Sequence, residues 1–501
     1  MKFITKTIYL QFIACPKNTW LQLNKPELAA SFALSDFEKS LVAKGNLVEL
    51  WARKLFSQGV MVEEFGHLGH EITQKHLAEK SPVIFQSTFI KDNFFSKNDV
   101  LEYDSATDSW NLYEIKGTNT LNENENENLA DHIDDAAFQL VILQDLGIRI
   151  NKISILHLNR DYIRGEEIEV RDLFLVEDVS ETVKDRITLT TEKMKLAARF
   201  LSYEDESALE CQCLYRGRSN HCSTFSYSHP EVPVYSVHDL SRIGNSKKKL
   251  ANLVDSNIFS LEDISNHHIF SKTQQNQIAV HKSQLPLIDL ESIRSELATL
   301  VYPLYFLDYE TYPAAIPLFK GFKPYQQIPF QFSLHVLRSE NSELEHFEYL
   351  QTEAVDPSLG IIESLKKIIG PVGSIIVWNK KFEQGINAAL AKRHPDDAAF
   401  LNDINERVYD LIDIFQKQFY VHHGFKGKTS IKNVLPVLVP DLSYKSLEIQ
   451  KGDVAMEAWY EMVFGDLTPE EKTIISKNLL DYCCLDTYAM YAIWQKLREL
   501  L

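Results

Sequence analysis

The sequence predicts an α/β protein of two domains, and three observations lead to this expectation. The chain has 501 residues, more than one ordinary hydrophobic core organises. Strand-like and helix-like patterns alternate over residues 82–158, and a second strand-rich region closes in a long helical pattern. Residues 236–297, between them, are rich in Lys, Asn, Ser and Gln and show short helical patterns. We therefore expect domains at 1–235 and 298–501, joined by a helical connecting module at 236–297.

Composition narrows the class of protein. An apolar fraction of 45% with 24% charged residues is ordinary for a globular chain in water. No segment is apolar for long enough to span a bilayer, and the first residues lack a secretory cleavage site. The net charge of −18 disfavours a protein that simply coats nucleic acid, but it is compatible with a nuclease that uses carboxylates to bind metal ions. We expect a cytoplasmic protein without a membrane partner.

The predicted elements follow in order along the N-terminal domain. Apolar spacing indicates that residues 1–80 are largely helical, and alternating apolar runs predict a hairpin-rich sheet over 82–117. The acidic low-complexity run NENENEN at 122–128 is expected to form a mobile loop. A helix at 132–147 and a strand at 152–158 complete this region.

A first group of candidate catalytic residues lies on the predicted hairpin. Asp99 opens one strand, and Glu114 and Lys116 lie on the next. Because side chains alternate along a strand, Glu114 and Lys116 share a face, and the three side chains could converge. Two carboxylates can hold Mg²⁺ or Mn²⁺, which acidifies a water that the lysine positions or activates. The pattern alone is weak evidence, because Glu and Lys often alternate on a solvated strand.

Two flanking residues extend this pattern into a family resemblance. Glu49, on the preceding helix, could supply another carboxylate to the metal, and Gln139 lies on the following helix. With these residues the chain resembles the RecB-type branch of the PD-(D/E)xK nucleases, whose motifs map onto Glu49, Asp99, Glu114, Lys116 and Gln139. The resemblance implies a restriction-endonuclease-like fold, with Gln139 contacting nucleic acid. A tyrosine expected near Gln139 is absent, which affects the substrate contact more than the metal site.

Four of the six cysteines have an uneven layout, with one near the start and three close together after the predicted nuclease core. They are Cys15, Cys211, Cys213 and Cys222. This layout is similar to that of iron–sulfur members of the same nuclease group, and the resemblance implies a [4Fe–4S] cluster. A zinc site and buried unligated thiols are the alternatives. Cys483 and Cys484 lie in an apolar helical segment and are expected to pack as small buried side chains.

A second group of acids is distributed over the C-terminal domain. Asp308 and Glu310 end the apolar run YPLYFLDYETYP, and their spacing places both on one face of a strand, where they can bind one or two metal ions. Glu383 begins a helix after a second apolar strand, and Tyr482 and Asp486 lie four residues apart on the last helix. The acid pair alone is very weak evidence, since edge strands routinely carry acids on their solvated face.

This order of residues resembles the DnaQ-like 3′–5′ exonucleases of the ribonuclease H fold, in the DEDD subtype with a tyrosine. The resemblance implies that four carboxylates hold two divalent ions and that the Tyr482 hydroxyl orients the attacking water. The family usually has Asp where this chain has Glu383, and the longer side chain would weaken the second metal site. Asp410 is an alternative ligand, although a structural acid at a strand end is the simpler interpretation.

The whole chain resembles a bacterial family that fuses a RecB-like nuclease with four cysteines to a DnaQ-like domain of unknown function. Four segments carry the likeness to that domain: YPLYFLDYET, PYQQIPFQFSLH, KTSIKNVLPVL and LLDYCCLDT. Lys428, Ser430 and Lys432 are expected to contact the nucleic-acid backbone, and a helix N-cap at Ser430 is an equal alternative.

Two classes of function follow. The first is a metal-dependent nuclease acting on DNA ends or single strands, in DNA repair or defence against foreign DNA, with RNA as an alternative substrate and an unidentified protein partner. The second is a nucleic-acid-binding clamp in which one of the two folds, more plausibly the C-terminal one, has lost its chemistry.

Overall fold

The computed structural model describes residues 3–29, 36–122, 128–206, 210–265 and 269–501 and confirms the α/β class. Most of the predicted loop at 122–128 lies outside the described residues. The chain divides into two compact units. Unit 1 comprises Met1–Leu214, His221–His229 and Ala314–Gln326, and unit 2 comprises Tyr215–Asn220, Pro230–Pro313 and Gln327–Leu501. The division from the sequence places 314–326 in the C-terminal domain, whereas this segment packs within unit 1, where Ala315 and Ile316 join a hydrophobic core.

Among the described residues, unit 1 contains a seven-stranded mixed sheet. Its strands are β1 (Ile4–Thr5), β2 (Val60–Met61), β3 (Val83–Lys91), β4 (Phe94–Asp104), β5 (Ser109–Lys116), β6 (Ile150–Leu158) and β7 (Phe174–Asp178). The strand order is β2–β3–β4–β5–β6–β7, and β1 pairs with β4. Strands β3, β4 and β5 pair antiparallel, as the hairpin pattern predicts, and β5 pairs parallel to β6.

The described helices of unit 1 include one that is buried along most of its length. They are α1 (Lys6–Ala14), α2 (Pro16–Asn24), α3 (Pro26–Ala29), α4 (Asp36–Ala52), α5 (Gly66–Ala78), α6 (Leu129–Asp145), α7 (Val170–Leu173), α8 (Ser180–Leu201) and α9 (Phe225–Ser228). Helix α6 connects β5 to β6, and every residue from Ile133 to Leu143 is buried. Its Phe138 ring stacks on Tyr9 of α1 with centroids 4.9 Å apart. A parallel strand pair requires such a crossover connection.

The prediction that Asp99 opens a strand is wrong, because β4 begins at Phe94 and Asp99 lies in its interior. The preceding residues Ser96, Lys97 and Asn98 interrupt the apolar alternation that marks a strand. Ser96 and Asn98 are nevertheless fully buried, and their side chains are hydrogen-bonded to each other.

Unit 2 contains, within the described residues, a five-stranded mixed sheet and a two-stranded one. The strands are β8 (Leu287–Ile288), β9 (Leu304–Pro313), β10 (Gln327–Leu337), β11 (Leu344–Leu350), β12 (Ser374–Val377), β13 (Val408–Asp410) and β14 (Tyr420–Val421). The larger sheet has the order β11–β10–β9–β12–β13, and β8 pairs with β14. Strands β9, β10 and β11 are antiparallel, whereas β12 runs parallel to both β9 and β13.

The described helices of unit 2 end with the longest one. They are α10 (Lys247–Asp255), α11 (Lys272–Ser283), α12 (Leu290–Leu297), α13 (Ser358–Ile368), α14 (Lys380–Arg393), α15 (Ala398–Glu406), α16 (Asp413–Gln416), α17 (Ile431–Leu438), α18 (Gly452–Phe464) and α19 (Pro469–Glu499). Helix α19 starts where Thr468 and Glu471 form a capping box and Pro469 takes the first helical position. It packs across β9 and β10. None of the described helices is long and apolar enough to cross a bilayer.

Candidate active sites and a four-cysteine site

The strand geometry of unit 1 brings Asp99 close to Glu114. The ladder between β4 and β5 ends at the pair Val100 and Tyr113, so the last residues of β5 pair only with β6. At this point the Asp99 carboxylate accepts a hydrogen bond from the Ile115 backbone N–H at 2.8 Å. A side chain of β4 thus takes the place of a ladder hydrogen bond, and it does so beside Glu114 and Lys116.

Glu114 and Lys116 belong to a buried network of charges. Lys116 Nζ lies 2.8 Å from a carboxylate oxygen of Glu114 and 2.5 Å from one of Asp135 on α6. Lys6, the first residue of α1, contacts the same two acids at 2.8 and 3.4 Å. The amide nitrogen of Gln139 donates to Glu114 at 2.6 Å and to Asp135 at 2.9 Å. The structure therefore brings Gln139 to the acidic residues, on the helical face that it shares with Asp135.

The two carboxylates of the hairpin have opposite pKa shifts. Burial, together with the negative charges of Glu114 and Glu49, raises the pKa of Asp99 to about 7. Burial acts in the same direction on Glu114, but the ammonium groups of Lys116 and Lys6 outweigh it and hold its pKa well below the usual range. Glu114 is therefore charged at neutral pH, whereas Asp99 lacks a neutralising cation of comparable strength.

The side chain of Gln86, on β3, links Glu49 to Asp99 by hydrogen bonds. Gln86 has a left-handed backbone with φ of 53°, and its amide nitrogen donates to Glu49 and, at 3.2 Å, to Asp99. Arg53, one turn after Glu49 on the same helical segment, also pairs with Glu49. No sequence pattern predicts that Lys6 or Gln86 belongs to this site, because Lys6 begins a helix and Gln86 lies within a strand.

In unit 2 the predicted acid pair lies on β9 beyond the point where β12 stops pairing with it. Strand β12 pairs with β9 only from Leu304 to Phe306, so Asp308 and Glu310 lie just beyond its end. Glu383 is in the first turn of α14, directly after β12, and Asp486 projects from α19. These four acids line one cleft of about 330 Å³. The structure thus brings together four residues that are separated by up to 178 positions in the sequence.

Without a bound cation, the four acids destabilise the native state electrostatically. Burial and mutual repulsion raise the pKa values of Asp308, Glu310 and Glu383 well above the ordinary range, and burial raises the pKa of Asp486 to about 6. Glu383 Oε2 is buried and has no hydrogen-bond partner among the described residues. Unpaired buried carboxylates destabilise a fold unless a cation compensates them. Hard carboxylate oxygens in this arrangement fit the preference of Mg²⁺ and Mn²⁺.

Tyr482 and Lys432 lie at the same cleft. Lys432 Nζ is 3.1 Å from the Tyr482 hydroxyl, and burial raises the pKa of Tyr482, so the phenol stays protonated. Ser430 also lines the cleft and is the N-cap residue of α17; its hydroxyl donates to the Asn433 side chain instead of capping the backbone. Lys428 lies apart from them and lines a different cavity.

Other residues at this cleft have no sequence signal. Tyr444 is buried and donates a hydrogen bond of 2.5 Å to Asp486. A Cβ at Gly452 would lie 3.7 Å from Glu310 Oε2, which places the start of α18 against the acids.

Asp410, the alternative ligand, accepts a hydrogen bond of 2.7 Å from the Lys380 backbone N–H and lines a neighbouring cavity. Its position favours the structural interpretation, because it compensates the N-terminus of α14.

The four separated cysteines converge in unit 1. One sulfur from each of Cys15, Cys211, Cys213 and Cys222 lies within 4.8 Å of the others. The sulfur of Cys211 is 3.7 Å from that of Cys15 and 3.6 Å from that of Cys222. Hydrogen bonds from neighbouring thiols, first that of Cys15, lower the pKa of Cys222 to about 7. Hydrogen bonding among the same thiols lowers the pKa of Cys213 and raises those of Cys15 and Cys211, so two of the four favour the thiolate form that binds metal.

The sulfur separations can be compared with metal geometries. A tetrahedral ion with metal–sulfur bonds of about 2.3 Å has ligand sulfurs about 3.8 Å apart. The spacing of Cys211 from Cys15 and Cys222 fits one such ion directly. A four-iron cluster binds one thiolate at each iron, so its ligand sulfurs lie further apart and these side chains would have to spread.

Comparisons with known proteins cover part of the chain. Residues 305–430 match the family model described as "Domain of unknown function (DUF2779)". This segment contains Asp308, Glu310 and Glu383, whereas the four-cysteine site and Asp486 lie outside it. The expected likeness to a domain of unknown function is confirmed over this segment, and that family description names no activity.

Two mycoplasma proteins are similar to part of the chain. It is 29% identical over 214 residues to "Uncharacterized protein MG366 homolog" of Mycoplasma pneumoniae, covering 38% of this chain and 31% of that protein. It is 27% identical over 222 residues to "Uncharacterized protein MG366" of Mycoplasma genitalium, with coverages of 39% and 32%. The matched region thus spans about a third of the length of these relatives. No solved structure matches the chain significantly.

Proposed function

We propose that this chain is a metal-dependent nuclease that hydrolyses phosphodiester bonds in DNA, at ends or in single strands, in repair or defence against foreign DNA. The observation that carries the proposal is the convergence of Asp308, Glu310, Glu383 and Asp486 on one cleft beside Tyr482. Acids with raised pKa values in a cleft are typical of functional sites, and among the described residues the cation that lowers these pKa values is the single ammonium of Lys432.

The residues that would hold the metal ions in unit 2 are the four acids of the cleft. A bound divalent ion would neutralise their charge and polarise the phosphate and a water. Tyr482 keeps its proton and can donate a hydrogen bond to a water in the cleft, while Lys432 holds the phenol in place and adds positive charge near a phosphate. Tyr444 fixes one oxygen of Asp486, which orients this carboxylate on α19.

Unit 1 supports the proposal with a second set of residues. Asp99, Glu114 and Glu49 supply carboxylate oxygens around the point where β5 stops pairing with β4. Lys116 is held by Glu114 and Asp135 in a protonated state, because their charges outweigh its burial and raise its pKa. An ammonium group fixed in this way can orient a water or a phosphate oxygen. Gln139 fixes Glu114 and, in this arrangement, acts through it instead of reaching a substrate.

Polar side chains beside the cleft of unit 2 suit a nucleic-acid strand. A neighbouring cavity shares Trp378, Asn379 and Ser430 with the cleft and adds Lys380 and Lys381. A third cavity shares Gln416 with that one and adds Arg242, Lys249 and several Ser and Thr residues. Ammonium, guanidinium and hydroxyl groups are the usual partners of phosphates. The module at 236–297 thus contributes residues to a polar path that adjoins the cleft.

A clamp without chemistry in one unit is the second candidate, and Glu383 is the observation that favours it. The side chain is one methylene longer than that of the Asp usual in the resembled family, and burial together with the charge of Asp308 raises its pKa. A displaced carboxylate can distort the coordination geometry of a metal ion while the surface that binds nucleic acid stays unchanged.

Digestion of end-labelled DNA and RNA tests the proposal. Single- and double-stranded substrates are incubated with Mg²⁺ or Mn²⁺ and with wild type, Lys116→Ala, Asp308→Ala or the double variant. Each single variant is expected to lose one activity and the double variant to lose both. A double variant that digests DNA as fast as wild type would overturn the proposal.

A further inference from the structure

A third group of metal-binding side chains lies on β10, β11 and α19. His335 and His346 are directly opposed in the antiparallel pair of β10 and β11, and their rings stack with centroids 4.4 Å apart. The sulfur of Cys484 lies 4.0 Å from Nδ1 of His346. One ligand atom from each of the three residues lies within 4.8 Å of the others.

The fold explains why these three side chains meet. Directly opposed residues of an antiparallel pair project from the same face of the sheet, and α19 packs on β10. Successive residues of a helix point about 100° apart. Cys483 is therefore buried 4.0 Å from Asp308 Oδ2, whereas the half-buried Cys484 faces His346. Packing as a small apolar residue accounts for Cys483 and leaves Cys484 unexplained.

We propose that His335, His346 and Cys484 form a binding site for a borderline-soft divalent ion of the Zn²⁺ class. A thiolate and two imidazoles are typical zinc ligands and are poor ligands for Mg²⁺. With zinc–sulfur and zinc–nitrogen bonds of about 2.3 and 2.1 Å, a tetrahedral ion places these atoms about 3.6 Å apart. The separation of 4.0 Å between Cys484 and His346 requires only a small adjustment.

The surroundings match those of a metal site. The hydroxyl groups of Ser333 and Thr487 are hydrogen-bonded to each other at 2.7 Å. The Ser333 hydroxyl also lies 2.9 Å from Nε2 of His346. The Thr487 hydroxyl lies 2.8 Å from Nδ1 of His335. Hydroxyl partners of this kind orient imidazole ligands from the second coordination shell.

Binding releases the Cys484 thiol proton to solvent and ties α19 to the β10–β11 hairpin. Since α19 also carries Tyr482 and Asp486, the ion would fix the helix that supplies two residues of the acidic cleft. The binding itself is independent of the proposed nuclease activity, and its test uses no nucleic acid.

Site-resolved thiol alkylation tests the proposal on the full chain. Wild type stripped of metal is treated with iodoacetamide, with and without one equivalent of added Zn²⁺ beyond that taken up by the four-cysteine site, and peptides are quantified by mass spectrometry. Zinc should slow alkylation of Cys484 roughly tenfold or more, because a metal-bound thiolate is a poor nucleophile. Equal alkylation of Cys484 with and without Zn²⁺ would overturn the proposal.

His346→Ala is the decisive variant, because this side chain is partly exposed and its loss leaves the core intact. It should abolish the protection of Cys484 and leave that of Cys222 unchanged. The matched control is His281→Ala, which removes a histidine of similar exposure beside Glu262 and should protect Cys484 as wild type does. Protection of Cys484 that persists in His346→Ala would also overturn the site, since the ion would then be bound elsewhere.

Discussion

Lys432 Nζ lies 3.1 Å from the Tyr482 hydroxyl, at the rim of a cleft that contains four carboxyl groups. The ammonium group also lies 5.2 Å from the centre of the Tyr482 ring and 5.3 Å from that of Tyr444. Its positive charge opposes the effect of burial and holds down the pKa values of Asp308, Glu310 and Asp486. One lysine thus both positions a phenol and keeps the acids closer to their charged state.

Replacing Lys432 by Gln should therefore shift the pH profile of the unit 2 nuclease as well as lower its rate. Without the ammonium the carboxyl pKa values rise, so the acidic limb of the activity profile should move to higher pH. The measurement is the initial rate against pH in a Lys116→Ala background. Lys428→Gln is the matched control, since Lys428 lines another cavity and its loss should leave the profile unchanged. An unshifted profile for Lys432→Gln would contradict this role.

The buried acids also predict how stability depends on pH in the absence of metal. Asp99 and Asp486 have folded-state pKa values of about 7 and 6, above the ordinary 3.8. A raised pKa means that the native state holds a proton more tightly than the unfolded state. Their contribution is fully present below about pH 3.8 and is lost as the pH rises through 6 to 7.

Urea unfolding in the presence of EDTA is the measurement. The midpoint urea concentration should fall between pH 5 and pH 8, and added Mg²⁺ or Mn²⁺ should recover it at pH 8. Asp486→Asn and Asp99→Asn should each flatten this dependence, because an amide carries no charge to bury. A midpoint that rises from pH 5 to pH 8 in both variants and wild type would contradict the prediction.

Lys116 and Lys6 provide a matched pair for unit 1, because each contacts Glu114 and Asp135. Replacing either by Met should destabilise unit 1 by roughly 2–4 kcal/mol, since it leaves buried carboxylates with one cation fewer. Only Lys116→Met should remove the unit 1 nuclease activity, measured in an Asp308→Ala background. If Lys6→Met lost activity to the same extent at equal folded fraction, the distinct role of Lys116 would be wrong.

Sequence patterns predict the parts of this molecule that are periodic. The hairpin strands, the buried helix after them and the last helix follow from apolar spacing, and the positions of Asp308, Glu310 and Asp486 follow from those elements. The start of β4 is missed because the polar residues Ser96, Lys97 and Asn98 interrupt its apolar pattern, although Ser96 and Asn98 are buried. Lys6, Gln86 and Tyr444 are missed for another reason: their partners are distant in the chain, and no local pattern marks a contact that only the tertiary fold creates.

The four-cysteine site predicts bound metal in protein purified without chelators. The layout of one and three cysteines favours a [4Fe–4S] cluster, so the protein is expected to be brown and to contain iron and sulfide. Colourless protein with one zinc per chain would instead assign the site to the single tetrahedral ion that the sulfur separations fit. Metal-free protein with four reactive thiols would contradict both assignments.

The role of Cys15 can be tested separately. Cys15→Ser should destabilise unit 1 as a whole, because it releases a tether between α1–α2 and the segment containing Cys211 and Cys222. Limited proteolysis of the purified variant should cut unit 1 faster than in wild type. Cys484→Ser is the control, since this cysteine lies in unit 2. Equal resistance of Cys15→Ser and wild type would count against a structural metal at this site.

The last prediction concerns metal preference in unit 2 and depends on Glu383. Its longer side chain alters the reach of one ligand, and its Oε2 is buried without a hydrogen-bond partner among the described residues. Mg²⁺ requires near-ideal octahedral geometry at short distances, whereas Mn²⁺ tolerates irregular coordination. We therefore expect the unit 2 activity, measured in a Lys116→Ala background, to be higher with Mn²⁺ than with Mg²⁺.

Two variants separate the contributions of these acids. Asp308→Asn should abolish this activity with both metals and leave the fold intact, because the amide keeps the shape and loses the charge that holds the ion. Glu383→Asp should raise the ratio of Mg²⁺ to Mn²⁺ activity if ligand reach sets the preference. Loss of all activity in Glu383→Asp would show that the backbone of α14 has adapted to the longer side chain. Absence of activity in Lys116→Ala itself, with either metal on every DNA and RNA substrate, would assign unit 2 to binding without catalysis.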